Sequence, residues 1–481
     1  MQLESYRHFA VRPCAHIFLA AVATFALGSM LAGAQAAPTA PGITAQSFQG
    51  SVPEGSATGQ MLDLTLDDAI QRGLRNNLGV ILSGTQTAAS RGERLSQLQN
   101  LLPAVDGSFK ESLEQVDLAA EGIRIPGFPT VVGPFGVTDV RASLSWSLVD
   151  VKSLRNYMAA KHNFAAAQLS ADDAREMVIL TVGNAYLLVV ADETEVASVQ
   201  AQVATAKVSL DQAVASHEAG TAPKIDVLRA QVDYQTLQQQ LISAQNALEK
   251  DRLALARTIG LPLDQKFNVA DKAPYAAFDQ IDLDAAIKQA RTSRKDLAAM
   301  VEQTKAAEFQ RRAATAERFP TLTADVDYGA IGVNLGNSHG TVNATGNFSV
   351  PLFKEFGIRG DTQQAQSQLD TARAQQSDKN AQVDADVRDA LLDIQSAQKQ
   401  VEVARSSVDL ANEALSEAQQ RFTAGVSDNL PVSQAEQSVA QANDQYVSSL
   451  YRHNIAKLSL ARAVGAAGNY KSYLEGNQGG K

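Results

Sequence analysis

Residues 387 to 426 read VRDALLDIQSAQKQVEVARSSVDLANEALSEAQQRFTAGV. Val387, Ile394, Val401, Val408, Leu415 and Phe422 recur at every seventh position. Ala390, Ala397, Ala404, Ala411 and Ala418 each follow three residues after one of the first five. That is a heptad with branched or aromatic residues at one seam position and alanine at the other. A strict period of seven implies left-handed supercoiling, and alanine lets the partner backbone come close. Polar Gln, Ser, Asp and Asn fill the remaining faces, which suits a wall wetted on one side.

The same stretch occurs earlier, shifted by 205 residues, as Val182, Val189, Val196, Val203, Leu210 and His217 with Ala185, Asp192, Val199, Ala206 and Ala213. Each copy then turns at a glycine, Gly220 or Gly425, and runs back along a second heptad. The return seams are Val227, Tyr234, Leu241, Leu248 and Leu255, and Val432, Val439, Tyr446, His453 and Leu460. Both return helices end alike, in LARTIG at 255–260 and LARAVG at 460–465, with glycine where a helix C-cap belongs. Upstream, LTLDDAI at 64–70 recurs as IDLDAAI at 281–287, and Leu102-Pro103 recurs as Phe319-Pro320. The chain is therefore written twice. Each copy opens with a helical pattern, Leu66 to Leu101 or Leu283 to Arg318, stopped by its proline. The long helices are expected over about Val151 to Glu218 and Asp361 to Thr423, on the order of 100 Å each.

Between proline and long helix, each copy alternates with period two. Val140, Ala142, Leu144, Trp146 and Leu148 oppose Asp139, Arg141, Ser143, Ser145 and Ser147. Val342, Ala344, Gly346, Phe348 and Val350 oppose Thr341, Asn343, Thr345, Asn347 and Ser349. Leu322, Ala324, Val326 and Tyr328 oppose Thr323, Asp325 and Asp327. Val105, Gly107, Phe109 and Leu113 oppose Asp106, Ser108, Lys110 and Ser112, with Glu111 the one misfit on the apolar face. Strands of about ten residues, apolar on one face and polar on the other, are the pattern of a membrane barrel; a half-buried sheet in a soluble protein reads the same strand by strand. A barrel needs about eight strands or more, so four per chain must be shared; two chains would give a lumen filled by side chains, and three would leave room for a passage.

At the N-terminus, Arg7 and Arg12 precede an apolar run from Ile17 to Ala34 and an Ala34-Gln35-Ala36 cleavage pattern, which reads as a secretory signal peptide. The single cysteine, Cys14, falls inside it, so the mature chain would hold neither disulfide nor thiolate. No later run approaches the roughly 18 consecutive apolar residues of a membrane helix. A net charge of −10 argues against nucleic acid. The six histidines, His8, His16, His162, His217, His339 and His453, make no metal-ligand spacing, and His217 and His453 sit on seam positions where packing is expected. No phosphate-binding or dinucleotide fingerprint is present. The glycines 329, 332, 336 and 340 lie between two strands and read as an extracellular hairpin loop. Catalysis, cofactors and metals are not expected.

In order and doubling, these features resemble the TolC-like outer-membrane efflux proteins over nearly the whole mature chain, about Leu64 to Gly465. The resemblance implies a mainly α fold with a membrane β-barrel: duplicated long coiled-coil hairpins forming a periplasmic tunnel, and four strands per chain in a trimeric twelve-stranded barrel. It implies an outer-membrane exit channel of a tripartite efflux or type I secretion system, working as a homotrimer in outer-membrane lipid. Its partners would be a periplasmic adaptor, the membrane fusion protein, and an inner-membrane pump of the RND, ABC or MFS type. Gly220, Thr221, Gly425, Val426 and Ser427 would be the periplasmic tips that meet the adaptor. Asp226 and Phe422 match family positions near the closed end. The second-half acids of the best-known members would fall at Pro431 and Gln434, so that ring is absent and Asp428 is the nearest acid. An acid at Asp226 also suits the positive end of a helix without any gating role. Asp139, Arg141, Asp325, Asp327, Asn343 and Asn347 would face the barrel lumen.

The expected organisation is signal peptide 1–36, N-terminal segment 37–63, first repeat 64–260 with its hairpin at 104–148, and linker 261–282. The second repeat follows at 283–465 with its hairpin at 321–350, then a tail at 466–481. The alternative reading is a soluble periplasmic coiled-coil scaffold, which membrane fractionation separates from a channel.

Overall fold

The computed structural model describes residues 44–475 apart from 121, 272–274, 279–280 and 428–429. The expected signal peptide and Asp428 lie outside the described residues. A short strand β1 (Leu62–Leu64) leads into α1 (Leu66–Asn76) and α2 (Leu78–Gln99), then β2 (Ala104–Asp117), β3 (Val131–Val149), α3 (Val151–Glu218) and α4 (Lys224–Ile259). A second short strand β4 (Phe267–Val269) precedes α5 (Leu283–Ser293), α6 (Lys295–Ala316), β5 (Thr321–Gly332), β6 (Ser338–Ser349), α7 (Glu355–Thr423), α8 (Leu430–Ala463) and the short α9 (Tyr470–Leu474).

The duplication extends to the caps. Thr65 accepts a hydrogen bond from the Asp68 amide at the start of α1, and Asp282, 217 positions later, accepts one from Ala285 at the start of α5. Here the sequence expectation needs correcting, because neither opening helix is continuous. Asn77 (φ −67°, ψ 133°) and Arg294 (φ −66°, ψ 123°) are extended and split each into two. Both breaks sit against the end of a return helix. Gly260 (φ +76°) packs on Asn76, where a Cβ would come within 2.6 Å of the Asn76 Cβ. Gly465 (φ +71°) packs on Ser293 and Arg294, where it would meet backbone at 2.9 Å. Each glycine serves twice, as a left-handed cap and as a gap for a crossing chain. Asn77 holds the first break by donating to the Phe48 and Thr258 carbonyls and accepting from Gly79. Arg294, itself buried, holds the second through Asp296 and Asp386 at 2.7 and 2.6 Å.

The heptad seams are the core. Val182, Val189, Val387, Ile394, Val401 and Leu460 are each 2% exposed or less, and burying one such side chain is worth about 1.5–3 kcal/mol. The long helices pair with their return helices, and α6 packs against both α3 and α7. One stretch of α3 is long and apolar enough to cross a membrane by composition, but half of it is buried within the protein. Tyr186, in that region, is fully buried and donates to the Leu64 carbonyl. The end of the N-terminal segment and the linker order each other in part, since β1 pairs in parallel with β4. Fully buried Lys457 ties the second linker and the C-terminal helix to α8 through the Ala276 and Leu474 carbonyls at 2.6 and 3.1 Å. Burial pulls its ammonium pKa down to about 8.

Candidate functional site: the open sheet and the helical tips

The four long strands form one antiparallel sheet in the order β2-β3-β5-β6, so the second hairpin adds directly onto the first. The register puts like with like. Asp106, Ser143, Asp327 and Asn343 align across all four strands on one face, and Ser145, Asp325 and Thr345 form the next row. Arg141 lies on this face between Asp139 and Asp327 and forms ion pairs with both. Its cross-strand neighbour is Gly329, where an added Cβ would strike the Val140 carbonyl oxygen at 2.4 Å. This corrects the glycine-loop reading: Gly329 and Gly332 belong to β5 and Gly340 to β6, leaving only the segment between them as loop.

The opposite face carries Val105, Phe109, Leu113, Tyr328, Val342 and Phe348, all between 65% and 75% exposed. The misfit there, Glu111, accepts a 2.6 Å hydrogen bond from Thr138 directly opposite. A polar residue on an apolar face was visible in the sequence, but its partner depended on the register. Where the sheet meets the helices, Phe319, Leu352, Phe353 and Phe356 are also exposed, the last three at 80% or more. Aromatic residues at that level are what a membrane interface selects.

At the far end of the helices, the two tips share one backbone motif. Gly220 (φ +76°) and Gly425 (φ +70°) follow Ala219 and Ala424. The Thr221 amide donates to Ser216 and the Gly220 amide to His217, and Val426 and Gly425 repeat this onto Arg421 and Phe422. Both turns are Schellman caps. Val426 is 70% exposed. His217 is also exposed and bonds the Ala222 carbonyl oxygen at 2.9 Å, so the expectation that it packs in the seam was wrong: the heptad runs out at the turn. Asp226 is not a solvated helix-start acid, being 3% exposed and 3.6 Å from Arg229. Phe422 is half-buried against a small cluster of Ala418, Val432 and Ala435.

Two contacts near the tips were not foreseen. Ser209 of α3 donates to Glu436 of α8 at 2.6 Å, and Ser433 of α8 donates to Asp233 of α4 at 2.5 Å. They stitch the start of α8 to both helices of the first hairpin. Burial pushes the Glu436 carboxyl pKa up, although the Ser209 hydroxyl opposes it.

A family model described as outer membrane efflux protein matches residues 88–261 and 286–466, one match per structural repeat. The chain belongs to the outer membrane efflux protein family. It is 24% identical over 416 residues to the probable efflux pump outer membrane protein SepC of Pseudomonas putida, covering 84% of this chain and 83% of that protein. Among solved structures, the CmeC outer membrane channel of Campylobacter jejuni superposes with a TM-score of 0.74 at 18% identity, covering 89% of this chain and 95% of that one. VceC of Vibrio cholerae gives 0.72 at 19%, covering 83% and 96%. For this member of the family, the soluble-scaffold alternative is set aside. The chain is an outer-membrane efflux protein, built on the TolC-like fold.

Proposed function

We propose that three copies close a single twelve-stranded barrel, continued by a helical tunnel, to make a passive gated duct from periplasm to exterior. The observation that supports this is a sheet open at both edges. Among the described residues β2 and β6 each have one strand neighbour, and none of those residues covers the apolar face across the four strands. Unpaired strand edges and exposed apolar area are tolerable only when another chain and lipid cover them. Strand directions alternate across the sheet, so β6 of one copy would meet β2 of the next antiparallel, as in every pair within this sheet.

In this assembly Asp139, Arg141, Asp325, Asp327, Asn343 and Asn347 face the lumen. The Gly220-Thr221 and Gly425-Val426-Ser427 turns meet a periplasmic adaptor, and an inner-membrane pump of the RND, ABC or MFS type supplies energy and selects cargo. Asp226 and Phe422 contribute to closure at that end. Residues 1–36 are removed on export. The reading covers both small-molecule efflux and type I secretion. The test is disulfide trapping, with one cysteine on β2, at Asp106 or Ser108, and one on β6, at Asn343, Thr345 or Asn347. Covalent trimers on a non-reducing gel are expected for the register-matched pair, and a ladder absent for every pair would overturn the shared barrel.

A further inference from the structure

One seam position departs from the alanine rule. Asp192 on α3 occupies the place that Ala397 holds in the second repeat, and Asp251 on α4 corresponds to Ala456. In the second repeat those two alanines are buried in one apolar cluster. In the first, the Asp251 carboxyl stands close enough to Asp192 to disfavour its charged form. The Asp192 Oδ2 atom is shut off from solvent, and no donor among the described residues reaches it. One turn along α3, Glu195 stands in the same relation to Asp444 of α8. The counterparts of that pair are the neutral Gln400 and Gln239. The fold is thus built once with these four acids and once without, so packing does not require them.

Two carboxylates facing each other repel unless a proton lies between them. Among the described residues none of the four acids forms an ion pair, and Arg252 beside Asp251 is held by Glu193 and Glu249, each at 2.8 Å. On α8 the Tyr451 hydroxyl donates to Asn184. Arg452, with Lys399 across on α7, lines a groove shared with Asp444 without pairing with it. Burial, with the neighbouring acid, raises both Asp192 and Glu195 to about 7.

We propose that Asp192–Asp251 and Glu195–Asp444 are proton-sharing clasps that hold α4 and α8 against α3, closing when each pair keeps a proton and loosening when it is lost. The clasps sit about 40 Å along α3 from the Gly220 tip, where a small separation of α4 or α8 is magnified toward the tip. The direction follows from the raised carboxyl pKa. The folded state favours the protonated form, so the contact is strongest below about 4 and weakens as pH rises through about 7. This depends on the helical packing alone and holds whatever the duct carries.

The test uses hydrogen–deuterium exchange of the full-length mature protein in detergent from pH 5 to pH 8.5, corrected for intrinsic exchange. The wild type is expected to show several-fold faster exchange around 245–255 and 440–448 at the alkaline end. Combining Asp192→Ala and Asp251→Ala, the pair that the second repeat already contains, with Glu195→Gln should make the profile flat. Should that variant fold poorly, infrared spectra of the wild type provide a second reading, with a protonated-carboxyl band at pH 6 that is lost by pH 8.5 and weakened in Asp192→Asn. Wild-type and variant profiles that superimpose, or the absence of that band at pH 6, would overturn the clasps. Neither result bears on whether the protein conducts.

Discussion

At residue scale, two glycines with the same backbone twist make different demands. Gly425 (φ +70°) has open space where a Cβ would go, whereas Gly260 (φ +76°) has the Asn76 side chain at 2.6 Å and the Val52 carbonyl oxygen at 3.0 Å. Gly425→Ala should cost about 1 kcal/mol, for the left-handed conformation alone. Gly260→Ala should cost about 2–4 kcal/mol, adding steric strain, and thermal unfolding of the two variants side by side gives the comparison. Lys457 offers a pH test. Its folded pKa of about 8 lies below the ordinary 10.5, so the unfolded chain binds the extra proton between those values and stability rises as pH increases through that window. Lys457→Met should remove the rise and, by eliminating a buried charge without a carboxylate, leave stability at pH 7 unchanged or higher. Denaturant midpoints at pH 7, 8.5 and 10 measure it. The turn and cap roles of Gly425 and Gly260 were legible in the sequence, but the contacts of Gly260 and Lys457 were not, because their partners are linker backbone and a helix end that come near only after folding.

At element scale, legibility follows the range of the forces involved. The long helices and strands could be read because their periodicities repeat many times and prolines 103 and 320 end the opening helices. Breaks at Asn77 and Arg294 could not, since each is a single extended residue held by groups from distant segments: Thr258 for the first, Asp386 for the second. The β1–β4 pair was invisible for the same reason, as three-residue strands carry almost no pattern of their own. The position of Asp192 was readable as a heptad exception, but its partner was not. The seam itself predicts a contrast within α7. Ile394 is 1% exposed and Leu410 is 64% exposed. Ile394→Ala should therefore destabilise by about 2–4 kcal/mol. Leu410→Ala should stay within about 0.5 kcal/mol in the dissociated chain. Unfolding in denaturing detergent distinguishes the two.

At the scale of the whole molecule, the proposed trimer takes four of its twelve strands from each chain. Among the described residues the sheet has two free edges, and nothing covers its apolar strand face. Alternation along β6 makes a sharp prediction for lipid. Val342→Arg, on the uncovered face, should weaken membrane insertion by about 2–4 kcal/mol if it lies near the bilayer centre. Asn343→Arg, one residue on and facing the other way, should insert normally, and vesicle flotation of the two variants tests this. The most direct test of the central claim is single-channel recording of the purified mature protein in a planar bilayer, with its oligomeric mass taken in the same detergent. A trimer with small, mostly closed conductance that increases when the turns around Gly220 and Gly425 are shortened is the predicted result. A water-soluble monomer that never inserts would contradict it.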